Sequence, residues 1–134
     1  MIRQYLIAPA VAAGLTLVTT GSATAQQPTA GMQHSKGTQR TISGTVVDVS
    51  CRFGLGLMGD SHRMCAQVCA DKGIPLAILG NDGKLYLPAS AAMPGDGQNA
   101  RLKDFAEQQV TVTGTVFPAG GANAIQIATI QRKS

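Results

Sequence analysis

The chain has 134 residues, of which 44% are hydrophobic, 13% charged and 4% aromatic, and its formal net charge is +4. This length fits one domain, and the low charge content excludes a coiled coil or a highly charged disordered chain. The basic residues form no long run, so the positive charge by itself does not indicate a nucleic-acid partner.

Residues 1–25 have the pattern of a secretory signal peptide. Arg3 supplies a basic start, residues 6–18 form an apolar run, and small residues at 23–25 precede Gln26. The apolar run is shorter than the roughly 20 residues that a membrane span needs. We therefore expect cleavage before Gln26 and export to the periplasm or the medium, with no membrane span left in the mature protein.

A polar segment follows the signal peptide. Residues 26–39 are rich in Gln, Thr, Gly and Ser and lack apolar periodicity, which is typical of a disordered leader. The folded domain is predicted over residues 40–134. A unit of this size benefits from a covalent staple, particularly in the oxidising compartment that export implies.

Five segments of the domain have the β-branched, alternating pattern of strands. They cover residues 40–50, 74–79, 84–88, 109–117 and 124–130. Gly44 predicts a bulge or bend in the first strand, and Pro75 predicts a late start or an edge position for the second. Asn and Asp before Gly83 favour a tight turn between the second and third strands.

Two helices are predicted between these strands. The first covers residues 61–72, follows a glycine-rich loop at 53–59 and stops at Gly73. The second is short, covers residues 100–106 and is capped by Asn99. One helix is therefore inserted after the first strand, and the other lies between the third and fourth strands.

This order resembles the OB-fold, a five-stranded Greek-key barrel with a helix between its third and fourth strands. The resemblance covers most of residues 40–131 and rests on the segments 42–49, 110–116 and 124–130. We therefore expect a mainly β protein, a five-stranded OB-like barrel with an additional helix inserted after its first strand.

A block of cysteine and histidine residues carries a second resemblance. Cys51, His62, Cys65, Cys69 and the Gly-Ile-Pro run at 73–75 are similar to a block in small exported bacterial proteins of uncharacterised function. This resemblance implies that the block works as a unit, and it implies no activity.

OB-folds often bind oligonucleotides on aromatic side chains in a basic groove. After removal of the signal peptide, the aromatic residues are few and the basic pair at 132–133 stands alone. These aromatic residues are Phe53, Tyr86, Phe105 and Phe117. The composition therefore argues against nucleic acid, and we expect an envelope protein or a small ligand as the partner.

His62, Cys65 and Cys69 share one face of the predicted helix, within an arc of about 60° at 100° per residue. Cysteine and histidine are ligands that Cu(I) and Zn²⁺ select, and Cys51 can approach this face as a fourth metal ligand. His62 and Cys69 lie about 10.5 Å apart along a regular helix axis. His62 can therefore join the same ion only if the helix begins irregularly.

Three interpretations of this block stay open. The first is a non-catalytic binding or interaction domain in which Cys51 forms a disulfide with Cys65 or Cys69, a staple worth ~3 kcal/mol. The second is a carrier or sensor of Cu(I) or Zn²⁺ that uses Cys51, His62, Cys65 and Cys69. The third is a thiol redox protein, although the Cys-x-x-Cys motif is absent. No motif indicates another enzyme, so we expect a non-catalytic protein.

Overall fold

The fold contains five strands whose bounds follow the predicted segments closely. They are β1 (Thr38–Asp48), β2 (Leu76–Gly80), β3 (Leu85–Pro88), β4 (Gln109–Ala119) and β5 (Ala122–Arg132). The structure is a computed structural model that describes residues 36–134. The predicted signal peptide and most of the predicted leader lie outside the described residues. No helix among the described residues is long and apolar enough to cross a membrane.

The strands close into a barrel in the order β1-β2-β3-β5-β4. Neighbouring strands run antiparallel, except β3 and β5, which pair in parallel and complete the barrel. The predicted fold class, a mainly β five-stranded OB-like barrel with short helices, is confirmed.

β1 is long enough to pair with two strands in succession. Its first part pairs with β4 and its last part with β2, and Gly44 pairs with both Gly80 and Val110. A side chain at Gly44 would collide with the carbonyl oxygen of Leu79. The glycine is therefore needed for the close backbone approach at the point where β1 changes partners.

Apolar side chains from all five strands and from two helices form the core. The largest fully buried ones include Val46, Leu76, Ile78, Tyr86, Leu102, Val110, Val112 and Ile125. Alternation along β4 places Val110, Val112 and Val116 inside, as the period of two in its sequence predicts.

Helices occupy the two predicted places, and one more precedes them, directly after β1. They are α1 (Val49–Leu55), α2 (Arg63–Asp71) and α3 (Asn99–Leu102). Short 3-10 turns cover Asp60–His62, before α2, and Lys103–Phe105, after α3. α1 includes the start of the segment predicted as a loop, and α2 starts two residues later than predicted.

The reason for α1 lies at its two ends. The Asp48 side chain accepts a hydrogen bond from the backbone N–H of Cys51, which satisfies a free donor in the first turn. Gly56 ends the helix with a left-handed φ of 69°. These end signals outweigh Gly54, which favours a loop.

Candidate metal centre

The structure brings the three cysteine sulfur atoms together within 4.8 Å of one another. Cys51 comes from the first turn of α1, and Cys65 and Cys69 lie one turn apart on α2. Cys65 is exposed, while Cys51 and Cys69 are half-buried. All three are free thiols, so the predicted disulfide is not formed here and stays a prediction.

Two anchors hold these helices in place. The Oδ1 atom of Asp48, at the end of β1, accepts from the Cys51 N–H at 3.0 Å and sets the start of α1. Ala66 and Ala70 are the buried residues of α2. Because small residues allow close packing, α2 lies near the barrel with its two cysteines beside α1.

His62 ends the 3-10 turn that precedes α2 and is only 5% exposed. Its Nδ1 atom lies 3.1 Å from Oε1 of Glu107. The Glu107 carboxylate accepts this hydrogen bond, so Nδ1 is the donor, and in the neutral ring the lone pair is then on Nε2. Nε2 is buried and has no hydrogen-bond partner among the described residues.

Glu107 reaches the site from the segment that joins the second 3-10 turn to β4. Its second carboxylate oxygen accepts from the backbone N–H of Gly59 at 2.9 Å, and its own N–H donates to the Val46 carbonyl at 2.7 Å. Its φ of 59° is unusual for a residue other than glycine. Such a conformation persists only where surrounding contacts hold it, and it is common at functional sites.

A second set of donor atoms adjoins the thiols. This set contains one ligand atom each from Asp48, Cys51 and His62, and the three atoms lie within 4.8 Å of one another. Cys51 therefore belongs to both sets. The helix carrying Cys65 and Cys69 does begin irregularly, since His62 is in a 3-10 turn. This irregularity is the condition under which the sequence predicted that His62 could join the ion of the helix cysteines, but the structure groups His62 with Asp48 and Cys51 and not with Cys65 and Cys69.

The pKa values show how these groups influence one another. Burial raises the pKa of Asp48, but the Cys51 N–H and the thiols of Cys69 and Cys51 outweigh it and hold this pKa below its usual value. The hydrogen bond to Asp48, followed by burial, raises the pKa of Cys69 to about 12. Burial and Asp48 likewise raise the pKa of Cys51. Without a cation, the site therefore favours two protonated thiols beside an ionised carboxylate.

This donor set can hold a metal ion. Zn²⁺ binds thiolate at about 2.3 Å and imidazole at about 2.0–2.1 Å, so neighbouring ligands of one ion lie about 3.3–3.8 Å apart. The ligand atoms in the structure lie at most 4.8 Å apart, so only small side-chain movements are needed to bring them to these distances. Thiolate and imidazole also bind Cu(I), so these ligands indicate a soft or borderline metal ion but do not distinguish Cu(I) from Zn²⁺.

Sequence reasoning identified Cys51, His62, Cys65 and Cys69 and missed two carboxylates of the same site. Asp48 had a local signal, because Asp three residues before Cys51 is a typical helix cap. Glu107 had no such signal, because 45 residues separate it from its partner His62.

The chain matches no family model, no curated protein and no solved structure in the three comparisons made.

Proposed function

We propose that this protein is an exported metal-binding protein in which Cys51, Cys65 and Cys69 hold Cu(I) or Zn²⁺ for transport or sensing. The observation that carries the proposal is the convergence of three free sulfur atoms from two separate helices within 4.8 Å. Thiolates in this number are the ligands that soft and borderline ions select. The predicted signal peptide supports export.

The surface position of the site favours exchange of the ion. Structural zinc sites are closed by four protein ligands, whereas sites that exchange or react keep one position open. Here Cys65 is exposed, and an incoming thiolate from another molecule can reach it. A carrier or sensor needs this access because it must receive its ion and release it.

Metal titration tests the proposal. The purified protein, reduced and kept under argon, is titrated with Zn²⁺ and separately with Cu(I) against competing chelators, and the complexes are weighed by native mass spectrometry. We expect retention of at least one of these ions, and loss of that retention in Cys69→Ser. Ser50→Ala, an exposed neighbour of Cys51, is the control and should retain the metal. Failure of the unsubstituted protein to retain either ion would refute the proposal.

A disulfide-stapled binding domain is the second candidate. The observation that favours it is a group of exposed apolar side chains beside the thiols, on α1, α2 and the loop between them. These are Phe53, Leu55, Leu57, Met58, Met64 and Val68. Mass spectrometry of protein isolated without reductant separates the two candidates, because a staple lowers the mass by about two units, from two lost hydrogens, and leaves one blockable thiol.

A thiol redox function has less support. Reactive cysteines have lowered pKa values, since the thiolate is the nucleophile. Asp48 and burial instead raise the pKa values of Cys69 and Cys51. These raised pKa values argue against a nucleophilic role for the two thiols, and a metal ion that binds them has to displace their protons.

A further inference from the structure

Asp48 and His62 each present a buried polar atom that the fold does not use. Asp48 is fully buried and His62 is 5% exposed. Oδ1 of Asp48 caps α1, and Nδ1 of His62 pairs with Glu107. The remaining atoms, Oδ2 and Nε2, have no hydrogen-bond partner among the described residues outside the thiol cluster, and the Cys51 and Cys69 thiols lie beside Asp48. Buried polar atoms without partners are uncommon because each costs free energy, so this pair indicates a ligand.

The position of these residues indicates where the ligand binds. One ligand atom each from Asp48, Cys51 and His62 lie within 4.8 Å of one another, and Cys51 is also one of the three clustered thiols. Since Oδ1 and Nδ1 are engaged, Oδ2 and Nε2 are the atoms left for a cation. Carboxylate, thiolate and imidazole together form a donor set that suits Zn²⁺. Cu(I) prefers softer ligands than carboxylate.

Charge balance supports a second cation at this place. Once metal binding has displaced the thiol protons, three thiolates and the Asp48 carboxylate carry four negative charges, and no Lys or Arg of the described chain pairs with Asp48. The Glu107 carboxylate is already engaged by His62 and the Gly59 N–H. One Zn²⁺ would leave two of these charges uncompensated in a partly buried site, which is costly. Two Zn²⁺ ions neutralise the four charges.

We propose that Asp48, Cys51 and His62 form a second zinc position that adjoins the three-thiol position, with the Cys51 thiolate bridging two ions. The proposal rests on the metal-binding function proposed above. Each ion then has three protein ligands, and its remaining position is left for water or an exchanging ligand. The thiol protons pass to solvent as the ions bind, and no redox step is involved.

Stoichiometry is the test. The reduced protein is equilibrated with Zn²⁺ alone and its zinc content is measured by native mass spectrometry and elemental analysis. We expect two ions per chain, and one in Asp48→Asn. Asparagine keeps the capping oxygen, so α1 should remain intact. Asp60→Asn, an exposed acid at the start of the 3-10 turn, is the matched control and should bind two ions.

A second variant guards against misfolding of the first. His62→Gln should also bind one zinc ion, because it removes an inner ligand and leaves the three thiols. Binding of one ion by the unsubstituted protein would overturn the two-ion proposal and leave the metal-binding function standing. Two ions in both variants would overturn it as well. Binding of no zinc would overturn the two-zinc proposal, and the Cu(I) titration described above would then decide whether the metal-binding function stands.

Discussion

At the scale of single residues, Glu107 is the group that orients His62. A ligating histidine usually donates its second ring N–H to a carboxylate or carbonyl, which fixes the tautomer and strengthens the free nitrogen as a ligand. The Glu107–His62 contact at 3.1 Å has this form, and both side chains are nearly fully buried. The positive φ of Glu107 indicates in addition that surrounding contacts hold its backbone in the conformation that this hydrogen bond needs.

Replacing Glu107 by Gln should therefore weaken zinc binding about 10- to 100-fold, the usual loss for such a partner. The amide keeps the size of the side chain and one acceptor oxygen, but it lacks the negative charge. Competition with a chelator of known affinity measures the effect. Asp104→Asn, an exposed acid in the neighbouring 3-10 turn, is the control. Equal affinities in the two variants would show that Glu107 has only a structural role.

The three thiols should react with iodoacetamide at different rates in the metal-free protein at pH 8. Cys65 is exposed and should react first. Cys69 should react last, because the hydrogen bond to Asp48 raises its pKa to about 12 and little thiolate exists at pH 8. Peptide mapping by mass spectrometry at successive times gives the order. Modification of Cys69 before Cys65 would contradict this account of the site.

At the scale of elements, the turn between β2 and β3 carries a charged hydrogen bond. The Tyr86 hydroxyl donates to Oδ2 of Asp82 at 2.7 Å. This hydrogen bond is the main cause that lowers the pKa of Asp82 below 3.8. A lowered folded-state pKa stabilises the protein fully above the unfolded value, and this stabilisation disappears as pH falls through the folded-state pKa.

Tyr86→Phe should therefore lower the free energy of unfolding by about 1 kcal/mol at pH 7. The difference from the unsubstituted protein should shrink as the pH falls below about 4, the unfolded value, and through the lowered folded-state pKa of Asp82. Urea denaturation at both pH values measures it. In an Asp82→Asn background the same substitution should cost less, and an unchanged cost would mean that Asp82 is not the partner that matters.

Asn99 connects the end of α2 to the barrel. Its amide nitrogen donates to the carbonyls of Ala70 and Ile74, and its oxygen accepts from the Leu76 N–H. The sequence predicted Asn99 as the cap of α3, but Asn99 is the first residue of that helix and no side-chain cap is formed at its start. The tertiary contacts compete successfully for its side chain because they satisfy three backbone groups at once.

Asn99→Ala should consequently reduce the free energy of unfolding by about 2 kcal/mol, since it removes three hydrogen bonds and leaves part-buried backbone groups unpaired. Gln98→Ala, the neighbouring substitution, should stay within about 0.5 kcal/mol. Thermal and urea unfolding of both variants measure the difference. A cost for Asn99→Ala no larger than for Gln98→Ala would show that these hydrogen bonds contribute little.

At the scale of the whole molecule, the three thiols lie outside the barrel core. The apolar core is formed by the strands, by Leu102 and by Ala70 of α2, and none of the three cysteines belongs to it. The cysteines lie on the two helices between β1 and β2. The fold therefore has a source of stability that does not depend on an ion.

A strong chelator should therefore leave the protein folded. Each zinc position, at a zinc concentration 100 times its dissociation constant, should raise the free energy of unfolding by about 2.7 kcal/mol, and chelation should remove this increment. Far-UV circular dichroism and urea titrations with and without chelator measure both effects. Unfolding on chelation alone would instead identify a structural zinc site of the zinc-finger type.

Much of the architecture could be predicted because its signals are local. Alternation in 109–117 and 124–130 identified β4 and β5, and Gly73 marked the end of α2. The prediction of a loop at 53–59 was partly wrong, because the cap at Asp48 extends structure into it. A local sequence pattern predicts the end of a helix or strand well only where one capping signal is stronger than the other signals nearby.

The sequence by itself determined the barrel class and the identity of the soft donor atoms, because strand periodicity and cysteine content are properties of short segments, and its signal-peptide pattern predicts export. The tertiary structure alone decided that Cys51 meets Cys65 and Cys69, and that Asp48 and Glu107 belong to the same site. The physical reason is distance along the chain. The pairing of β1 with β2 and β4 places residues 48, 62 and 107 together. No pattern within a short segment of the sequence indicates this proximity.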